Sequence, residues 1–172
     1  CVHLGHLQLI KKRQTEACRA DAPATVLTFE PHPHEFFNAA TAPPRLSTFR
    51  EKLERLDKAG VDKVVCLRFN AGLAGMSAEE FVEMYLINGL GVRALIVGDD
   101  FRFGRDRKGD FSLLQEIGRQ ADFAVSSVDT FVVDGHRVSS SRIRQILQNA
   151  NFSLAERLLG RPFSITARVA QG

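Results

Sequence analysis

Two short segments constrain the fold of this chain more than any other feature. Residues 24–29 (ATVLTF) and 94–98 (ALIVG) are nearly continuous in apolar and β-branched residues. Strands that show no polar face are strands covered on both sides, as in a parallel sheet flanked by helices. The intervening segments have helical periodicity. Leu7, Ile10 and Ala17 fall on one stripe, with Lys11, Lys12, Arg13 and Glu16 outside it. Residues 49–59 place Leu53 and Leu56 inward, with Gly60 as a stop. Ser77-Ala78-Glu79-Glu80 is a capping box opening a helix through Phe81, Met84 and Tyr85. Residues 63–69 and 123–128 read as two more strands, and residues 111–120 and 151–159 as helices. Ser139 or Ser140 caps another helix, through Ile143, Ile146 and Leu147. Helix and strand alternate throughout, which predicts an α/β domain with a parallel sheet.

Composition agrees. A length of 172 residues suits one domain, and 44% hydrophobic with 25% charged residues is the balance of a folded globular chain. No apolar stretch is long enough to span a membrane. The net charge of +3 suits an anionic ligand, but the cations are interspersed with acids and form no basic face for nucleic acid. Three cysteines, Cys1, Cys18 and Cys66, have no CxxC spacing, which argues against a disulfide scaffold and for the cytoplasm. The N-terminal residues have their cations after the apolar ones and do not read as a signal peptide.

Parallel sheets bind ligands beyond the carboxyl ends of their strands, and the polar clusters of this chain lie there. Glu30-Pro31-His32-Pro33-His34 follows the first strand, Arg68-Phe69-Asn70 the second, and Gly98-Asp99-Asp100-Phe101-Arg102-Phe103-Gly104 the third. The fourth leads through a Gly135 turn to Ser139-Ser140-Ser141-Arg142-Ile143-Arg144.

Each cluster has a chemical and a plain reading. In His3-Leu4-Gly5-His6, Gly5 admits close approach of the backbone, and a helix start offers N–H groups to a polyphosphate. The same residues also read as a surface histidine pair or half of a zinc site, although no further ligands with zinc spacing stand out. Ser140, Ser141 and Arg144 read as a phosphate cradle or as an ordinary serine cap with exposed arginines. The aromatics around the Pro-His-Pro segment read as a platform for a flat ring or as core residues of a rigid loop. The Gly98 to Gly104 segment reads equally as a turn with core phenylalanines.

Taken together, HxGH and SS[ST]xxR resemble the signature of the HIGH-type nucleotidyltransferases. The wider set VHLGH, TFEPHP, GDDFRFG, DGHRVSSSRIR and LLGRPFSI resembles the FMN adenylyltransferase module of the bacterial bifunctional riboflavin kinase/FAD synthetases. Ser141 stands where the family more often has Thr, which keeps the hydroxyl. The resemblance implies a Rossmann-like parallel sheet of the nucleotidyltransferase type. It implies an adenylyltransferase domain over residues 1–159, and a linker and first stretch of a covalently linked riboflavin kinase barrel over residues 160–172. It also implies a central strand and Gly-rich turn ahead of Cys1.

The implied reaction is ATP + FMN giving FAD and pyrophosphate. His3, Gly5 and His6 would hold the ATP phosphates, with Ser140, Ser141 and Arg144 facing them. His3, His6 and Arg144 would stabilise charge during transfer. Mg²⁺ would ride on the phosphates with water as most of its other ligands, so no protein metal site is expected. Phe29, Pro31, His32, Asp100 and Phe103 are the residues carried over for FMN. Three rivals remain: an adenylyltransferase for another phosphorylated acceptor, a module that binds flavin or nucleotide without turnover, and a nucleic-acid binder.

Overall fold

The structure is a computed structural model. It describes the backbone of residues 1–20 and 22–167 and the side chains of residues 1–12 and 22–167. The expected stripe position of Ala17, the outward Arg13 and Glu16, Cys18, and the chain beyond residue 167 lie outside the described side chains.

Helix α1 (Leu4–Ala20) leads to strand β1 (Thr25–Glu30), then α2 (Pro33–Phe37), α3 (Phe49–Lys58), β2 (Lys63–Arg68), α4 (Ala71–Gly75) and α5 (Ala78–Phe81). A π-helical stretch, Val82–Gly89, continues α5. After it come β3 (Ala94–Gly98), a 3-10 turn (Arg105–Arg107), α6 (Phe111–Gln120), β4 (Ala124–Val128), the hairpin β5 (Val132–Val133) and β6 (His136–Arg137), α7 (Ser140–Gln148) and α8 (Phe152–Leu159).

Both long strand pairs are parallel. Strand β1 pairs with β2 in the register Thr25↔Lys63 to Glu30↔Arg68, and β3 pairs with β4 from Ala94↔Ala124 to Gly98↔Val128. Among the described residues the two ladders are separate sheets. They nevertheless share a covering. One apolar cluster joins Leu27 and Phe29 of β1, Leu67 of β2, Leu95 and Val97 of β3 and Val125 of β4, with Phe81, Val82 and Leu114 from the helices on that side. On the opposite face of β1, Val26 packs with Ile10 of α1 and Leu56 of α3. The α/β layering expected from the unbroken apolar strands is therefore present.

Differences from the sequence reading are local. The Pro-His-Pro loop contains α2, because His32 acts as its N-cap: its Nδ1 accepts from His34 N, and Glu35 returns a bond to His32 N. Residues 71–75 form a turn of helix capped by Asn70, whose side chain accepts from Leu73 N. The Ser77 capping box is formed with Glu80 as expected. The helix it opens then widens to π winding. Val82 and Leu86 face the core, while Met84 is 52% exposed. Leu53 is half-buried rather than core. Phe123 is buried but precedes β4.

The chain after α8 folds back on α3. Thr166 Oγ1 donates to Glu51 Oε1 at 2.9 Å, and Arg55 Nη2 lies 3.5 Å from both Ser164 Oγ and Glu51 Oε1. Glu51 is buried, and its carboxyl is held below the usual range by the Thr48 backbone N–H and then by Thr166.

Candidate active site

A cleft of about 300 Å³ opens at the carboxyl ends of β3 and β4. On one wall stand His3, Gly5 and His6, where the chain enters α1. Opposite are Gly98, Asp99, Asp100 and Phe101 after β3, and Val128 to Phe131 after β4. Val138, Ser139 and Ser140 close it with the first residues of α7, and Arg137 stands at its edge.

The histidine geometry follows from the helix start. The His3 carbonyl accepts the first bonds of α1, from His6 N at 2.8 Å and Leu7 N at 3.0 Å. His3 and His6 are three residues apart at a helix start, so their rings share a face. Their centroids are 3.9 Å apart, tilted by 38°. A Cβ at Gly5 would lie 3.3 Å from the His3 ring, so glycine permits this packing. Burial lowers the pKa of His3 to about 4 and of His6 to about 3. Both rings are therefore neutral near pH 7. Nδ1 of each is buried without a hydrogen-bond partner among the described residues. Two neutral imidazoles with buried, unengaged nitrogens are hydrogen-bonding groups awaiting a partner.

At the facing helix start, Ser139 is the N-cap: its Oγ accepts from Arg142 N at 3.2 Å. Ser140 Oγ lies 3.5 Å from Cys1 Sγ, across from the histidines. Of the expected phosphate residues, the structure brings His3, Gly5, His6 and Ser140 to the cleft. Ser141 is exposed on the outer side of α7 and is not in the lining. Arg144 is also outside the lining; its Nε donates to the Pro44 carbonyl at 2.7 Å.

The residues expected for flavin divide. Asp100 is in the histidine cleft, where its carboxylate meets Arg137 Nη2 at 2.6 Å. Phe29 and Phe103 belong instead to an aromatic chain. Phe29 packs on Phe81, Phe81 on Phe103, and Phe103 stacks on Phe101 at 5.5 Å. Phe101 is in turn in the cleft wall. Pro31 and His32 lie beyond the end of β1, across a cis Glu30–Pro31 bond. His32 is exposed at the surface, and its pKa is lowered by partial desolvation of the ring first and then by His34.

Two cleft residues that hold the turn after β3, Arg137 and Thr130, are not singled out by the sequence pattern. Arg137 makes the ion pair just described, and Thr130 donates from both its N–H and its hydroxyl to Asp99. These bonds fix the Gly98 to Phe101 turn against the strand ends. Arg137 is visible within DGHRV, but nothing in that segment says which acid it meets.

The FAD synthetase family model matches residues 1–142, most of the described chain. The chain belongs to the FAD synthetase family. Across 99% of its length it is 48% identical to the bifunctional riboflavin kinase/FMN adenylyltransferase of Pseudomonas fluorescens, and 46% identical to that of Escherichia coli K12. It spans about half the length of these relatives, 55% in each case. A crystal structure described as a macrolide-efflux protein from Streptococcus pneumoniae superposes over 94% of this chain and 61% of its own, with a TM-score of 0.78 and 27% identity. That name speaks of transport, whereas no helix among the described residues here is long and apolar enough to cross a membrane. The fold and family expected from the sequence motifs are those found.

Proposed function

We propose that the chain transfers the AMP group of ATP to FMN, giving FAD and pyrophosphate, as one module of a bifunctional enzyme that also phosphorylates riboflavin. The observation that carries this is the meeting of His3 and His6 with the start of α7 across one cleft, in a chain of this family. A phosphate oxygen of FMN attacks the α-phosphorus of ATP. The bond from that phosphorus to the bridging α–β oxygen breaks, and pyrophosphate leaves with the bonding electrons. The acceptor phosphate is already ionised near neutral pH, so no general base is needed, and positioning with charge stabilisation supplies the catalysis.

In this reading neutral His3 and His6 donate hydrogen bonds to the triphosphate. The N–H groups at the start of α7 and the Ser140 hydroxyl receive it from the other side. Arg144 and Ser141 come into use if the nucleotide extends past the cleft along α7. Among the described residues, no group of three or more His, Cys, Asp or Glu is placed to hold a metal. Magnesium is read as part of the substrate, carried on the nucleotide phosphates. Asp100, Phe29, Pro31, His32 and Phe103 are the proposed acceptor side. The division of modules is proposed at Gly160, the left-handed cap of α8, after which the described chain has no regular structure.

The test is direct. Incubation with FMN, ATP and Mg²⁺ should yield FAD, quantified by chromatography. A parallel sample carries the strand and Gly-rich turn that the family pattern places ahead of Cys1. FAD from either sample supports the reading. FAD from neither, with both folded, overturns it and leaves another acceptor or a binding role.

A further inference from the structure

The segment between α2 and α3 carries an arginine that the proposed reaction does not use. Arg45 Nη2 contacts Glu30, the last residue of β1, and Glu35 Oε2 of α2 at 2.5 Å; its Nε donates to Glu35 Oε1 at 2.6 Å. One guanidinium thus grips the Glu35 carboxylate with both arms and holds the strand end as well. Glu35 also caps α2 by accepting from His32 N at 3.0 Å. The two carboxylates flank the Pro31-His32 turn, so the turn is closed from both ends by Arg45. Its neighbour in the chain, Pro44, offers its carbonyl to Arg144 Nε of α7 at 2.7 Å. The acceptor-side turn, the Pro44-Arg45 segment and α7 are therefore linked in one continuous run of charge-assisted hydrogen bonds.

We propose that Arg45 is a positioning residue for the acceptor phosphoester: it sets the Pro31-His32 turn at the end of β1 and, through Pro44, ties that setting to Arg144. This rests on the adenylyltransfer reading above.

Two observations separate positioning from simple stabilisation. Arg45, Glu30 and Glu35 have side chains 42%, 36% and 22% exposed, and ion pairs so placed add little to global stability. The planar fork nevertheless fixes the direction of approach, which lysine cannot reproduce. The Arg45 hydrogen bond is also the main reason the Glu35 carboxyl titrates below its usual range. Lys52, which donates to Thr28 Oγ1 on β1, places a positive charge that bears on both His6 in the cleft and His32 in the turn.

The experiment compares Arg45→Ala and Arg45→Lys with the parent protein, measuring thermal midpoint, KM for FMN and KM for ATP. Arg45→Ala is expected to raise the FMN KM about tenfold or more while the ATP KM changes less than about twofold, with a thermal midpoint near that of the parent. Arg45→Lys, which keeps the charge but not the fork, should recover only part of the loss. Glu35→Gln, which leaves Arg45 intact but weakens its grip, should raise the FMN KM in the same sense. An FMN KM unchanged in Arg45→Ala overturns the inference, as does full recovery in Arg45→Lys or an equal rise in both KM values. A parent protein that forms no FAD overturns the adenylyltransfer reading, and the inference falls with it.

Discussion

The imidazoles of His3 and His6 face one another with centroids 3.9 Å apart at the entry to α1, and burial keeps both neutral. A closely packed pair in this position cannot carry two positive charges at little cost. The free energy of folding must therefore depend on pH through these rings. In the unfolded chain each takes a proton as pH falls through about 6.5. In the folded chain they do so only near pH 4 and pH 3. Between those values the unfolded state binds more protons, so stability is complete above about pH 6.5 and is lost as pH falls toward 4. His3 alone is worth on the order of 2–3 kcal/mol over that interval. His32, also lowered, adds in the same sense. Urea midpoints measured at about pH 7 and about pH 5 should fall toward the acid side, and His3→Asn should flatten the slope. A midpoint constant across that interval would remove the neutral-pair description. Glu51 and Asp99 are held below their usual range and lose their contribution only at lower pH, which keeps the two effects apart.

In the proposed reaction His6 acts on the charge that builds as pyrophosphate leaves. His6→Ala should lower kcat on the order of 10²-fold. The FMN dissociation constant should move within about threefold, because the acceptor side is built from other residues. Flavin fluorescence titration beside single-turnover rates distinguishes the two. Turnover equal to that of the parent would take His6 out of the chemistry.

Arg144 is engaged by the Pro44 carbonyl, which takes only Nε. Among the described residues its terminal nitrogens make no hydrogen bond, which leaves them able to meet a phosphate. Arg144→Ala should weaken ATP binding by about tenfold, the usual order for a hydrogen bond to a charged group. Calorimetric titration of Mg·ATP reads this directly. Equal affinity in variant and parent would place Arg144 outside the nucleotide site, as a tether for the Pro44 segment alone.

What the sequence revealed depended on the range of the interactions involved. Helix α6 runs over Phe111–Gln120, as its periodicity predicts, because Asp110 caps it locally and its stripe is regular. The histidine pair was legible because helix geometry alone brings residues three apart together. Where the helix opened by Ser77 widens to π winding, Val82 and Leu86 take the inward positions and Met84 is exposed, a shift that no local pattern announces. Helix α2 is masked in the sequence by Pro31 ahead of its cap and Pro33 at its start, yet Pro33 stands at a position that tolerates proline and Glu35 completes the cap. The pairing of Asp100 with Arg137 and of Asp99 with Thr130 crosses from one strand end to another. No local pattern encodes such pairs; they exist only once β3 and β4 are in register.

Gly104 joins that site to the rest of the fold. Its φ of 71° lies where side chains are disfavoured, and a Cβ there would meet Ala78 N and Cα at 2.7 Å. The Cβ would press on the Ala78 backbone, so no side-chain rotation relieves the contact. The neighbouring Arg105 N–H donates to the Met76 carbonyl at 2.8 Å, which holds the loop on the start of α5 and keeps Phe103 on Phe81. Gly104→Ala must either break that bond or shift the loop, and should destabilise the fold by about 2 kcal/mol or more. Because Phe103 stacks on Phe101, and Phe101 is in the cleft wall, the same shift should loosen the acceptor side while the histidine pair stays as it is. Urea denaturation measures the first effect, and the second appears as a rise in FMN KM with ATP binding retained. Parent-like stability would show that the loop is not clamped at Gly104 at all.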